Sequence, residues 1–136
     1  MRLILCVDDR MGVCFAGRRQ SRDARVSEDI ARELGGAPLF LLPYSKGLFE
    51  GLRAPLRISD DPIAEARGVS DAAVFLEACE MPRELVGFDA VTLYRWGRSY
   101  PADRYFDADL SLFRLKSRVT FVGTSHEKIT KETYVK

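Results

Sequence analysis

Short apolar runs separated by polar stretches characterise the first half of this chain. Two of them, Arg2–Val7 and Pro38–Leu42, each predict a buried strand. Between them, apolar side chains recur every four positions, which predicts a helix over Asp23–Leu34 with Ser21 or Asp23 as its N-cap. A strand, a helix and a second strand in this order predict two parallel neighbours joined by a crossover helix.

Later segments add shorter elements and end in two strands. The predicted strands are Leu56–Ile58, Ala72–Leu76, Ala90–Trp96, Phe113–Val122 and Ile129–Val135, and the predicted short helices are Lys46–Glu50 after a Ser45 N-cap, Ile63–Arg67 and Pro82–Val86. The last two strands predict an antiparallel hairpin around residues 123–128. Parallel units followed by a hairpin predict an α/β fold: a single three-layer domain over residues 1–136, with a mixed, mostly parallel sheet between helices.

Composition supports one folded unit and excludes a global electrostatic role. The chain has 136 residues, 46% of them hydrophobic, and a formal net charge of +1, so no overall field attracts nucleic acid or a membrane. Cys6, Cys14 and Cys79 have no close partner in sequence, and we expect buried, reduced thiols and a cytoplasmic protein. The absence of a signal peptide and of a long apolar run agrees with that expectation.

The polar stretch from Val7 to Asp23 is the best candidate for a functional site. It is predicted as loop up to Gln20 and contains four arginines and three aspartates between two core elements, where α/β proteins usually keep their sites. Its pattern Gly12-x-x-x-x-Gly17-Arg18-Arg19 approaches a phosphate-binding loop. However, arginines replace the lysine and the serine or threonine that bind phosphate and magnesium, which argues against a triphosphatase.

Arginines beside a helix N-terminus favour a small ligand that is anionic or nucleotide-like. Guanidinium groups bind phosphate or carboxylate through paired N–H donors, and the helix start adds backbone donors. The predicted ligand-binding residues are Arg18, Arg19, Gln20 and Arg22, faced by Ser45 and Lys46 from the second strand–helix junction. In the alternative, the arginines pair with Asp8, Asp9 and Asp23 and only order the loop, and the protein binds a partner without any small ligand.

Asp23 is the one candidate catalytic residue. A carboxylate in the cleft beside the first strand could orient an N–H group of a ligand or move a proton. In the alternative, Asp23 is an acid at a helix start that stabilises the helix dipole. The residues leave the cofactor unknown and leave open whether any reaction is catalysed.

His126 is the only histidine, and this count excludes much chemistry. One histidine and scattered cysteines cannot build a zinc site, so no metal is predicted. A Ser-His-Asp arrangement that uses Ser125 is rejected, because adjacent residues cannot easily orient nucleophile and base toward each other. His126 is therefore predicted to be a turn residue.

Aromatic residues alternate with arginines between residues 94 and 106. The strip consists of Tyr94, Trp96, Tyr100, Tyr105 and Phe106 with Arg95, Arg98 and Arg104. Such a strip could stack on single-stranded nucleic acid. The near-zero net charge favours instead a strand with aromatic side chains on both faces, so nucleic acid is a less favoured partner.

The order of elements resembles the dihydrofolate reductase fold over most of the chain. The first strand enters a loop of the form V-D-D-R-x-G-x-x-F, Asp23 lies near the start of the crossover helix, and Tyr105-Phe106-Asp107 precedes a hairpin around Thr124-Ser125-His126. The resemblance implies that the first loop closes over a nicotinamide and that Asp23 matches the acid that binds the pterin. It also implies an NADPH-dependent reductase as an alternative function.

Three departures from that family fall where it holds the phosphates of NADPH. Its Pro-Trp after the first loop is replaced by Arg18-Arg19, its Gly-Arg-x-Thr by Pro43-Tyr44-Ser45-Lys46, and its Gly-Gly turn by Glu77-Ala78-Cys79-Glu80. The resemblance therefore covers the scaffold better than the cofactor site.

The fragments R-R-Q-S-R-D, Y-R-W-x-R-x-Y-P-A-D-R and S-H-E-K-I-T-K-E also resemble a group of small bacterial proteins that often carry the label ribonuclease Z. That label implies an RNA-binding or RNA-processing protein as a further alternative. The zinc ribonuclease of that name has a His-x-His-x-Asp-His cluster, which a chain with one histidine cannot supply.

Overall fold

A seven-stranded sheet with helices on both faces organises the protein, and the computed structural model describes all residues 1–136. The strands are β1 (Arg2–Val7), β2 (Gly12–Phe15), β3 (Arg18–Arg19), β4 (Leu39–Leu41), β5 (Leu56–Ile58), β6 (Ala73–Phe75), β7 (Ala90–Arg95), β8 (Arg104–Tyr105), β9 (Arg114–Phe121) and β10 (Ile129–Val135). The helices are α1 (Ala24–Leu34), α2 (Pro62–Ala66) and a 3₁₀ helix at Pro43–Phe49.

The strand order in the large sheet is β5-β4-β6-β1-β7-β10-β9. The first five strands are parallel, and β10 runs antiparallel to both β7 and β9. The predicted mixed, mostly parallel sheet with a C-terminal hairpin is therefore confirmed. The hairpin places the connection between β9 and β10 near the end of β7, since Thr130 pairs with Arg95.

Two apolar cores lie on opposite faces of this sheet, because side chains alternate along each strand. Leu3 and Leu5 of β1 belong to the first core, and Ile4 between them belongs to the second. α1 covers the second core through Val26 and Ile30, which lie one helical turn apart on its buried face.

The first loop is more regular than the sequence predicts. β2 and β3 form a hairpin, and β8 completes a small three-stranded sheet. Ala16 and Gly17 connect β2 to β3 with φ values of 51° and 71°, as a two-residue hairpin turn with a right-handed strand twist requires. The spacing of Gly12 and Gly17 thus reflects a hairpin, not a phosphate-binding loop.

Two of the predicted short helices differ in the structure. Residues 82–86 form bends and a turn, because one isolated helical turn makes few internal hydrogen bonds and Met81 and Leu85 anchor the segment to the first core instead. The helix predicted after a Ser45 N-cap begins earlier, at Pro43, with Leu42 as its N-cap. Ser45 is buried inside it.

The three cysteines are all free thiols, of which Cys14 is buried and Cys6 and Cys79 are partly buried. Burial raises the pKa of all three thiols, so they are protonated near neutrality. None of the helices has the length and apolar character needed to cross a membrane.

Candidate functional site

A narrow cleft lies between the hairpin β2–β3, the start of α1, the 3₁₀ helix and the ends of β1 and β6. It opens at the carboxyl edge of the parallel strands, where open α/β sheets usually bind ligands. Cys6, Phe75 and Trp96 contribute to its apolar lining, and Ser21 and Arg22 to its polar lining. Only about 20 Å³ is open to the centre of a water molecule, so a larger ligand requires part of the lining to move.

An ion pair between Arg19 and Glu77 closes one side of the cleft. The guanidinium Nε and Nη2 donate to the two carboxylate oxygens at 2.9 and 3.0 Å. Ser45 Oγ donates to the same carboxylate at 2.5 Å, and the Arg19 guanidinium lies 4.5 Å from the centre of the Tyr44 ring. Arg19 is therefore paired with an acid, as in the alternative in which the arginines only order the loop. Its partner, however, is none of the predicted residues Asp8, Asp9 and Asp23.

Arg18 and Arg22 are exposed and form no ion pair. Arg22 lines the cleft, and Arg18 neighbours Arg19 on β3. Lys46 is exposed and does not line the cleft, and Ser45 reaches the arginines only through Glu77. The structure thus leaves one unpaired guanidinium group, that of Arg22, in the lining of the cleft, and a second, that of Arg18, on β3 outside this lining.

Gln20 connects the cleft to the first loop. Its Nε2 donates to Asp8 Oδ2 at 3.0 Å, while its Oε1 is buried without a hydrogen-bond partner. Gln20 lines the cleft, and its buried Oε1 keeps an unused capacity to accept a hydrogen bond.

Asp8 holds the loop after β1 in place. Its carboxylate accepts from the backbone amides of Arg10 at 2.9 Å, Gly12 at 2.8 Å and Tyr100 at 3.1 Å. Burial alone would raise the pKa of Asp8, but these amides and the Gln20 side chain hold it below its usual value. An ionised Asp8 therefore organises the backbone around the cleft and makes no arginine pair.

Asp23 is the N-cap of α1 and also binds the connection between β9 and β10. It accepts from the amides of Arg25 at 2.9 Å, Thr124 at 2.9 Å and Ser125 at 2.8 Å. Burial opposes ionisation, but the amides and His126 hold the pKa of Asp23 well below its usual value. The predicted catalytic residue is thus a fixed carboxylate whose oxygens already have protein partners.

His126 lies in the connection between β9 and β10, but it is not an ordinary turn residue. Its side chain is 2% exposed and stacks on Trp96 with ring centres 4.6 Å apart. Nδ1 lies 3.1 Å from Asp23 Oδ2, and Nε2 lies 3.0 Å from Ser21 Oγ and 3.1 Å from Tyr100 Oη. His126 is therefore the centre of a buried polar network, which the sequence analysis missed.

The partners of His126 decide which ring nitrogen carries a proton. An ionised Asp23 only accepts, so Nδ1 must donate to it. In the neutral imidazole Nε2 is then the acceptor, and the hydroxyls of Ser21 and Tyr100 donate to it. No local signal could reveal this arrangement, because 103 residues separate Asp23 from His126.

The aromatic strip does not form a continuous stacking surface. Tyr94, Trp96 and Phe106 are buried in the cores at 1%, 4% and 2% exposure, and Tyr105 alone is exposed. Tyr94 on β7 and Trp96 directly after it both belong to the second core, so the aromatic side chains of this strand lie on one face and not, as the sequence had suggested, on both.

The fold agrees with a solved structure, whereas sequence comparisons find nothing. No known protein family matches the chain, and no curated protein matches it. Among solved structures, the dihydrofolate reductase from Enterococcus faecalis complexed with NADP(H) and RAB-propyl is similar with a TM-score of 0.66. The match covers 98% of this chain and 94% of the other, at 13% identity. The predicted fold is thus confirmed, and nothing found supports the label ribonuclease Z.

Proposed function

We propose that this protein binds a small ligand with an anionic, nucleotide-like group in the cleft beside the start of α1. The observation that carries the proposal is the exposed, unpaired guanidinium group of Arg22, which lines the cleft just before the N-terminus of α1, with a second unpaired guanidinium, that of Arg18, on β3. Both features attract phosphate or carboxylate, and neither stabilises the fold through an ion pair.

The remaining lining suits the rest of such a ligand. Phe75 and Trp96 offer an apolar surface for a flat group, and Gln20 Oε1 offers an acceptor for an N–H or O–H group. Access requires the Arg19–Glu77 pair to open, because the space behind it accommodates little more than water. An anion could draw the Arg19 guanidinium away from Glu77, which would couple binding to opening.

A reductase of the dihydrofolate reductase type is the second candidate, favoured by the fold match. The resemblance to that family implies that the residues after β6 meet the phosphates of NADPH, and the buried carboxylate of Glu77 at this position does not fit them. Arg19 and Ser45 are already bound to that carboxylate. The fold supports this candidate, but Glu77 and the residues bound to it do not.

Thermal unfolding in the presence of pyrophosphate, ATP and NADPH tests the proposal. We expect pyrophosphate or ATP to raise the Tm by about 2–4 °C, because an anion that binds only the native state stabilises it. The Arg18→Ala/Arg22→Ala variant should lose this shift. The Arg53→Ala/Arg57→Ala variant, which removes two exposed arginines elsewhere, should retain it.

A shift that persists in the Arg18→Ala/Arg22→Ala variant, or the absence of any shift in the parent protein, would overturn the anion-binding proposal. Micromolar binding of NADPH in a near-ultraviolet titration would favour the reductase instead. Absence of NADPH binding would remove that second candidate.

A further inference from the structure

Ser21, His126 and Asp23 form a continuous hydrogen-bonded row along one side of the cleft. Ser21 Oγ lies 3.0 Å from His126 Nε2, and His126 Nδ1 lies 3.1 Å from Asp23 Oδ2. Asp23 is buried and ionised, so it fixes the tautomer in which Nε2 can accept the Ser21 proton. A hydroxyl, an imidazole and a buried carboxylate in this order are the parts of an activated serine nucleophile.

We infer that Ser21 is the nucleophile of an acyl-transfer site that hydrolyses small anionic carboxylic esters, with His126 as general base and Asp23 as the positioning carboxylate. The inference rests on the proposal that the cleft takes up a small ligand, and it adds a reaction to that binding. It differs from the arrangement rejected in the sequence analysis, because the serine is Ser21, which is 105 residues from the histidine, and not the adjacent Ser125.

The surroundings hold the imidazole in a fixed orientation. Trp96 stacks on the ring with the two planes 25° apart. Ser125 Oγ lies 3.2 Å from Nδ1 and also 3.2 Å from Asp23 Oδ2, on the side away from Ser21. Tyr100 Oη also lies 3.1 Å from Nε2, so Ser21 and Tyr100 share this acceptor.

Ser21 is accessible from the cleft, and unpaired backbone donors follow it in the chain. Ser21 is partly exposed and lines the cleft, whereas His126 is buried behind it. The amides of Arg22, Asp23 and Ala24 donate to no acceptor of the protein. Amides beside a nucleophile at a helix start can stabilise the negative oxygen of a tetrahedral intermediate, and Arg22 adds a positive charge for an anionic substrate.

The reaction balances without a cofactor. Ser21 Oγ adds to the acyl carbon while its proton moves to His126 Nε2, and the ester C–O bond breaks as the leaving alcohol takes that proton. Water then adds to the acyl carbon and gives a proton to Nε2. The bond from Ser21 Oγ to the acyl carbon breaks, Oγ recovers the proton, and the products are one acid and one alcohol.

Labelling with diisopropyl fluorophosphate tests the inference. An activated serine displaces fluoride from phosphorus, and the resulting adduct is located by intact mass and peptide mass spectrometry. We expect one adduct, on Ser21, and none in Ser21→Ala. His126→Gln should label at least about 100-fold more slowly, as loss of a general base predicts.

Ser70→Ala is the matched control, because Ser70 is exposed and lies before β6, at the opposite edge of the sheet from the cleft. It should label at the parent rate. Near-ultraviolet circular dichroism of Trp96 shows whether each variant is folded, because this ring is buried against His126.

An unlabelled folded parent, an adduct on another residue, or an unchanged rate in folded His126→Gln would each overturn the inference. If pyrophosphate raises the Tm while Ser21 stays unlabelled, the assignment of Ser21 as a nucleophile is wrong and the proposed anion-binding site stands. If Ser21 is labelled as expected while no anion raises the Tm, Ser21 is a nucleophile and the proposal that the ligand is anionic is wrong.

Discussion

At the scale of single residues, Asp23 has the most consequential environment. One carboxylate caps α1, binds two amides of the β9–β10 connection and orients the only histidine. Its side chain has 0% exposure, so any loss of charge leaves several donors without a partner in the interior.

Asp23→Asn should lower the free energy of unfolding by about 3 kcal/mol, since charged hydrogen bonds contribute about 1.5–3 kcal/mol each and the amide cannot accept at both positions. Urea denaturation followed by Trp96 fluorescence measures the change. Asp9→Asn is the control, because Asp9 is exposed and its carboxylate has no hydrogen-bond partner. A loss for Asp23→Asn as small as that for Asp9→Asn would contradict this role.

At the scale of elements, the site depends on how closely the C-terminal hairpin approaches β7. Gly97 follows β7 with a φ of 72°, and a Cβ atom there would lie 2.6 Å from the backbone oxygen of Lys128, just before β10. This approach brings the β9–β10 connection, and with it His126, next to Trp96.

Gly97→Ala should destabilise the protein more than Gly17→Ala. Both positions have nearly equal positive φ values, which costs an alanine about 1–2 kcal/mol, but a Cβ at Gly17 meets nothing within 4 Å. The backbone clash at Gly97 adds about 1–3 kcal/mol. Thermal unfolding of the two variants compares their stabilities. Equal losses of stability would show that a small shift of the backbone relieves the clash.

At the scale of the whole molecule, two buried aspartates join segments that are distant in the chain. Asp8 connects the loop after β1 to Tyr100, and Asp23 connects α1 to the β9–β10 connection. The pKa of each lies below its usual value, because amide donors outweigh the effect of burial. Their ionisation is therefore linked to folding.

Acid should destabilise the protein through these two groups. A depressed native pKa gives stability that is complete above the unfolded value of about 3.9 and is lost as the pH falls toward the native value. We expect the contribution of these two carboxylates to the free energy of unfolding to fall steadily below about pH 4. Urea titrations at several pH values measure this slope. Asp8→Asn and Asp23→Asn should each reduce it, and an unchanged slope in both would contradict the linkage.

Prediction from the sequence succeeded where the signal is local. The apolar runs of β1 and β7 and the four-residue spacing along α1 show which faces are buried, and each was found close to its predicted bounds. The short 3₁₀ helix and residues 82–86 were less predictable, because one turn has little preference of its own and Ser45 is used by Glu77.

The candidate site was only partly predictable. Arg19, Gln20, Arg22 and Asp23, all named from the sequence, line one cleft. The hydrogen-bond partners of these residues were not predicted, because the pairs Arg19–Glu77 and Asp23–His126 join residues that are 58 and 103 positions apart. Such pairs form only when β6 pairs with one edge of β1 and the hairpin adds to β7 on the other side of β1.

The sequence by itself determined the strands, the main helix and the α/β class, because the burial of apolar side chains is periodic along the chain. Only the tertiary structure decided what the polar residues do. It pairs one arginine with a distant acid, leaves Arg18 and Arg22 unpaired, and places His126 between Ser21 and Asp23. The physical reason is that hydrogen bonds and ion pairs depend on distances of about 3 Å, which the order of strands in the sheet sets and the order of residues in the chain does not.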